Sequence, residues 1–379
     1  KIQDGNYGAD YPKADEFVAS GIPFLTSKVI GGIGTINPDK FDYIKEEKHQ
    51  SLKKAQIVAG DILFTNRGAN VGTIAIVPDY IATANIGPQL TLVRCNDCIL
   101  KEYLFQFLRG SFFQKQIQQR DSGSAMNFFG IKDTERFKVL VPSLSEQKRI
   151  AQILSTWDKA ISVTEKLLAN SQQQKKALMQ QLLTGKKRLL DENGVRFNGK
   201  WEKKLLSDVA DVYQPKTISQ SMMSDSGYPV YGANGVIGFY QEFNHETEQI
   251  AVTCRGSTCG IVNWTQAKSW ITGNAMVINT DNYSYVSKKF LFYTLNGSDL
   301  KYLISGSGQP QITGNIKTHI INLPCIEEQQ KIATVLSAAD AEIYTLEKKL
   351  ACLRDEKKAL MQQLLTGKRR VKVDEAVAE

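Results

Sequence analysis

The twelve residues from Lys175 to Lys186, Lys-Lys-Ala-Leu-Met-Gln-Gln-Leu-Leu-Thr-Gly-Lys, occur again letter for letter from Lys357 to Lys368. A match of that length does not arise by chance, so the chain carries two copies of one segment. The similarity continues upstream at a constant offset. Glu146-Gln147 aligns with Glu328-Gln329, Ile150-Ala151 with Ile332-Ala333, Leu154-Ser155 with Leu336-Ser337, and Asp158 with Asp340. A half-chain precedes each copy.

The repeated segment reads as a long helix with one greasy seam. In the first copy the seam runs through Ile150, Leu154, Trp157, Ile161, Thr164, Leu168, Ser171, Lys175, Leu178 and Leu182. In the second it runs through Ile332, Leu336, Ala339, Ile343, Leu346, Leu350, Leu353, Lys357, Leu360 and Leu364. Steps of four and three alternate, the 3.5-residue period of a coiled coil. Thr164, Ser171 and Lys175 interrupt the first seam and predict polar register marks.

Pro142 and Pro324 precede the helices, and Ser143 with Glu146 fits a reciprocal capping box. Cys325 stands at the matching place in the second copy, a weaker cap. Gly185 and Gly367 are expected to end the helices in the left-handed conformation. The basic runs Lys186-Lys187-Arg188 and Lys368-Arg369-Arg370 either complement the helix dipoles or contact a partner or phosphate. A helix from Ser145 to Leu183 would be roughly 58 Å long, and such a helix needs a partner. Its own copy is the nearest one with a matching seam; pairing between two chains is the alternative.

Composition adds bounds. The 379 residues allow two or three domains. No apolar run reaches about 18 residues and the first residues show no signal-peptide pattern, so a cytoplasmic protein without a membrane span is expected. The net charge of +8 mildly favours a polyanion partner. Cys95 and Cys98 have the spacing of half a zinc site, but no second pair lies at the needed distance and the histidines are His49, His245 and His319. The six cysteines, Cys254 and Cys259 among them, read as reduced structural residues, with no metal.

Residues 1–141 form a mixed segment. Ile57–Thr65 is a strand with a turn, Gly72–Val77 and Leu90–Arg94 are strands, and Lys101–Gln119 has helical spacing through Leu104, Phe105, Leu108, Phe112 and Ile117. A polar stretch, Asp121 to Asn127, follows, and Phe137–Val141 leads into Pro142. After a connector beginning at Leu189, residues 201–323 repeat the order with a diverged sequence. Gly21-Ile22-Pro23 is echoed by Gly227-Tyr228-Pro229. Arg67-Gly68 with Val71-Gly72 is echoed by Arg255-Gly256 with Cys259-Gly260. Arg109-Gly110-Ser111 is echoed by Asn296-Gly297-Ser298, and Ser122-Gly123-Ser124 by Ser305-Gly306-Ser307. Two unlike domains thus alternate with two like helices. That pattern suits helices that meet identical partners and globular parts that meet different targets.

The pattern resembles the specificity subunit of Type I restriction–modification systems. The resemblance rests on Pro-x-Leu-x-Glu-Gln-x-x-Ile-Ala at 142–151, Pro-x-x-Glu-Glu-Gln-x-x-Ile-Ala at 324–333, and the two Lys-x-x-Leu-Met-Gln-x-Leu-Leu-Thr-Gly-Lys endings. It covers nearly the whole chain. It implies an α+β fold with two globular target-recognition domains, 1–141 and 189–323. Two long antiparallel coiled-coil helices, 142–188 and 324–379 with its basic tail, separate them in a pseudo-twofold repeat. It implies that each domain reads half of a split target in double-stranded DNA. Two methyltransferase subunits and two motor–nuclease subunits would bind around the helices. The chain itself would be non-catalytic and hold no cofactor; S-adenosylmethionine, ATP and Mg2+ would sit on the partners. The second half opens with Arg196-Phe197, Trp201-Glu202 and Leu205, an entry with no counterpart before Lys1. The comparison implies that the first domain as given lacks its first strand.

Base reading needs Arg, Lys, Asn, Gln or Ser on loops. The candidates in the first domain are Asn66, Arg67, Asn70, Ser124 and Asn127; in the second they are Lys216, Asn234, Arg255, Ser257, Gln309 and Gln311. Arg67 and Arg255 stand in matching loops beside glycines, which permits close backbone approach. Enzymatic signals are thin. Gly31-Gly32-Ile33-Gly34 lacks the third glycine of a dinucleotide loop. Pro38-Asp39 with Glu46-Glu47-Lys48 gives the alternative of a metal-dependent nuclease, though its spacing is short. A homodimeric coiled-coil adaptor is the other alternative.

Overall fold

A computed structural model describes residues 1–32, 34–121, 128–306 and 310–372. The chain falls into two compact units: Lys1–Glu165 with Lys349–Glu379, and Lys166–Lys348. Each globular half is therefore grouped with the near end of one long helix and the far end of the other.

In the first unit, Ile62–Thr65 is buried at every position because both faces of its sheet are covered. The two-residue alternation of a strand sorts its side chains. Ile62 and Phe64 join Ile74, Phe107 and Leu154 in a core under the helices. Leu63 joins Ala75, Leu90 and Leu92 in a second core. The sheet is antiparallel, in the order Ile2–Asp4, Leu90–Val93, Ile62–Thr65, Ile74–Ile76. A five-stranded sheet lies beyond it and contains a parallel pair, with Phe24 opposite Asn85. The turn expected within 57–65 falls at Gly60, whose φ of 87° is left-handed. The single helix expected over 101–119 is two, Lys101–Arg109 and Ser111–Asp121. Gly110 separates them where a Cβ would meet Leu365 Cδ1 at 3.0 Å.

The second unit repeats this plan. Its four-stranded antiparallel sheet runs Asp211–Tyr213, Ala275–Asn279, Ile250–Thr253, Val262–Trp264. Ile250 and Val252 face the helix-side core, while Ala251 packs with Ala275 and Val277 on the other face. A three-stranded sheet again holds a parallel pair, Val230 opposite Trp270. Glu202–Leu205 pairs with Ile320–Leu323 in a further two-stranded sheet.

Both long helices contain 39 residues, Leu144–Leu182 and Ile326–Leu364. All the seam positions named above are buried or half-buried. Leu154, Leu182 and Leu336 are fully enclosed, and Ile150, Ile161, Ile332, Leu350 and Leu364 are close to it. Trp157, Leu168, Leu178, Ile343, Leu346, Leu353 and Leu360 are half-buried. In the first unit the start of the first helix packs on the end of the second, Ile150 and Leu154 sharing a core with Leu364 and Leu365. In the second unit Leu182 shares a core with Ile332 and Leu336. Low numbers of one helix meet high numbers of the other in both units, so the pairing within each is antiparallel.

Polar seam residues make specific bonds: Ser171 Oγ donates to Glu342 Oε1 at 3.0 Å, and Thr164 Oγ1 to the Ala160 carbonyl at 2.8 Å. Gly185 and Gly367 end the helices at φ 69° and 72°. The capping box at Ser143 is only half formed. Glu146 N donates to Ser143 Oγ at 3.4 Å, but the Glu146 carboxylate is taken by Arg370.

Candidate DNA interface and helix clasps

The two Arg-Gly loops fold alike, bond for bond. After Thr65 and Thr253 the chain leaves a buried strand, turns through two glycines and returns as the next strand. Gly68 and Gly72 have φ 89° and 90°; Gly256 and Gly260 have 81° and 92°. These values favour glycine, which accounts for the shared spacing. Gly72 N donates to Thr65 O and Gly260 N to Thr253 O, and both bonds are 2.9 or 2.8 Å. Val71 N donates to Gly68 O, and Cys259 N to Gly256 O. A later segment closes each loop through one isolated bridge, Arg67 with Phe128 and Arg255 with Gln311.

Around this shared frame the side chains differ. Arg67 is half-buried, and its Cζ lies 4.5 Å over the centre of the Phe128 ring. Arg255, Ser257 and Gln311 are exposed together. Asn70 is exposed, with its carbonyl accepting from Thr73. Asn66 does not present an edge to solvent as expected. It is fully buried, its amide donating to Thr91 Oγ1 at 2.9 Å, and Thr91 Oγ1 in turn donates to Asp4 at 3.1 Å. It directly follows the covered strand Ile62–Thr65, where its backbone N–H donates to Gln89 O and its carbonyl accepts from Phe129 N. Burial raises the Asp4 carboxyl, against Thr91 and the Arg67 charge, which pull it down.

Lys216 and Asn234 are exposed on separate loops at the same end of the second unit's sheet. Thr253 Oγ1 donates to the Ala233 carbonyl, Cys254 N to Asn274 O, and Gly273 N to Thr217 Oγ1. Ser124, Asn127 and Gln309 lie outside the described residues.

The repeated helices carry a second set of paired contacts. Arg188 makes a two-pronged bond to Glu328, both contacts 2.6 Å, and Arg370 makes the equivalent pair to Glu146 at 2.7 and 2.6 Å. The third residue of each basic run therefore returns to a buried glutamate at the start of the opposite helix. Lys357 binds Asp158 at 2.6 Å, and Lys175 binds Asp340 at 2.5 Å. Gln147 accepts from Leu100 N and donates to the Cys98 and Pro142 carbonyls. Gln329 does the same with Ser287 N, Tyr285 O and Pro324 O. Both glutamines are fully buried, so each locks a globular half to a long helix. The Glu-Gln pairs align in the sequence but their partners are not legible there; the signal is a charged residue and an amide repeated at the head of a greasy seam.

These clasps predict an acid limb of stability. Arg370 holds the Glu146 carboxyl below the usual carboxylate range. Burial pushes Asp158 up, but Arg109, Lys357 and Gln106 together hold it below the ordinary value. A depressed folded pKa stabilises above the unfolded value, about 4, and that stabilisation is lost as pH falls through the folded value. The melting temperature should be level near neutrality and drop steeply below about pH 4. A flat profile down to pH 3 would contradict ionic clasps.

All six cysteines are free. Among the described residues no three His, Cys, Asp or Glu side chains are grouped to hold a metal. Nor, among them, is any helix long and apolar enough to cross a membrane.

The family model described as Type I restriction modification DNA specificity domain matches residues 8–170 and 198–352, one match per half. The chain belongs to that family. A Methanocaldococcus jannaschii chain named as the MjaX specificity subunit of a type I restriction enzyme is 28% identical over 383 residues, covering 90% of this chain and 87% of its own length. The fold is similar to that of the crystal structure of the Type-I restriction-modification system S subunit from M. genitalium, with TM-score 0.66, 14% identity, and 96% and 93% of the two chains covered. It is also similar to a chain from a structure titled for complex assembly and conformational transition of the type I R-M system, with TM-score 0.53, 18% identity and 91% of each chain covered. As a specificity subunit the chain recognises a DNA target and is non-catalytic; methylation and cleavage are not its chemistry.

Proposed function

We propose that this specificity subunit reads a bipartite, asymmetric DNA target, one part through each unit, and that its paired helices set the distance between the parts. Two copies of a methyltransferase subunit, and two motor–nuclease subunits joined to them, assemble on the repeated helices in the cytoplasm. S-adenosylmethionine, ATP and Mg2+ belong to those partners.

The observation that carries the reading is where identity is kept and where it is lost. Lys176, Gln180, Gln181 and Lys186 are exposed, and so are their identical counterparts Lys358, Gln362, Gln363 and Lys368. Helix pairing explains a repeated seam but not repeated exposed residues. Equivalent surfaces for two copies of one partner do explain them. The two Arg-Gly loops have the opposite character: one backbone frame, with different side chains around it.

The test is to map methylated sites made by the full complex carrying Arg255→Ala. One base position in one half of the target should relax, with a loss of about 1–3 kcal/mol of discrimination. A uniform loss over all sequences would make Arg255 a phosphate contact and remove it from base reading.

A further inference from the structure

We infer that Phe128 is a positioning residue for base recognition in the first unit, and that with it Arg67 reads the guanine of a G·C pair. The inference rests on the reading that the Arg-Gly loop meets DNA, and it goes further in naming the base and the device.

Phe128 is 48% exposed, and the Arg67 guanidinium lies over its ring. Its backbone is not free to wander. Phe129, the next residue, is buried against Phe64 and Phe137, and its N–H donates to the Asn66 carbonyl at 2.8 Å. The ring is thus carried on an anchored segment directly across from Arg67. The guanidinium carbon lies over that ring, an attraction of cation and π-cloud that restrains the group. Arg67 Nε is enclosed and has no hydrogen-bond partner among the described residues. No hydrogen bond engages the rest of the guanidinium among the described residues. The terminal amino groups are what remains to meet a base edge.

A guanidinium held over a ring, with two amino groups to offer, suits the O6 and N7 acceptors on the major-groove edge of guanine. Stacking removes the rotamer freedom that an exposed arginine would otherwise lose on binding. Among its described residues the second unit lacks this device. Gln311 stands where Phe128 does, and Arg255 is exposed with no ring beneath it among the described residues. The residue opposite the arginine is therefore a place at which the two units differ while sharing one loop.

The experiment maps methylated sites made by the complete complex carrying Arg67→Ala, Phe128→Leu or Phe128→Tyr. Leu keeps apolar volume and removes the π-face; Tyr keeps the face. Arg67→Ala should lower discrimination at one G·C position by about tenfold or more. Phe128→Leu should relax that same position, and Phe128→Tyr should leave it as in the parent, with the other half of the target untouched in all three. If Phe128→Leu keeps parental discrimination while Arg67→Ala loses it, Phe128 does not position Arg67, and the loop reading stands. If Phe128→Leu lowers methylation equally at every site, its role is structural and the inference fails. If Arg67→Ala changes no position, both the inference and the loop reading fall.

Discussion

Glu328→Ala is expected to destabilise the second unit by about 3–5 kcal/mol, the loss typical of removing one member of a buried ion pair. The Glu328 side chain has no exposed surface, and that of Arg188 is 19% exposed. The carboxylate takes two bonds from Arg188 and a third from Trp201 Nε1 at 3.2 Å. Deleting it strands a largely enclosed guanidinium and an indole N–H. Arg188 Nη2 still reaches the Gly199 carbonyl, which offers no counter-charge. Glu328→Gln should do less harm, since it keeps shape and one acceptor. Glu146→Ala in the matching clasp should also do less: the Arg370 side chain that it frees is 73% exposed, so water already screens its charge. Urea unfolding, with hydrogen exchange followed over 166–182 and 326–348, would measure the difference. A Glu328→Ala change within about 0.5 kcal/mol of the parent, as for an ordinary surface site, would mean that the clasp does not hold the helix ends.

Much of this architecture was legible because it is written in period and repetition. The seam could be read off Ile150, Leu154, Leu336 and Leu364 since a 3.5-residue spacing has one physical meaning for a long helix. The matched loops were legible because Gly68, Gly72, Gly256 and Gly260 sit at left-handed positions that few other residues tolerate. What could not be read were contacts between residues distant in sequence. Asn66 looked like a loop side chain, and only its contacts with the distant Thr91 and Phe129 put it inside. The Ser143 cap looked complete, but Arg370 competes for Glu146, and a two-pronged bond to guanidinium outweighs a single bond to a backbone N–H. Phe128 gave no sequence signal beyond an aromatic residue following a polar stretch; its meaning comes from standing across from Arg67.

The repeated helices are proposed to fix the separation of two unlike readers. A four-residue insertion after Leu168, with its counterpart after Leu350, addresses it. Both sites lie beside the points where the chain passes from one unit to the other. Four residues are close to one helical turn, so the seam keeps its facing to within about 40° while each helix grows by about 6 Å. That rise is near two base-pair steps of about 3.4 Å. Both helices must change together, because in each unit one end of the first is paired with the opposite end of the second. The measurement is the methylated sequence produced in cells by the complete complex. The predicted result is both half-sites unchanged and a spacer longer by about two base pairs. An active complex whose spacer stays at the parental length would contradict the account.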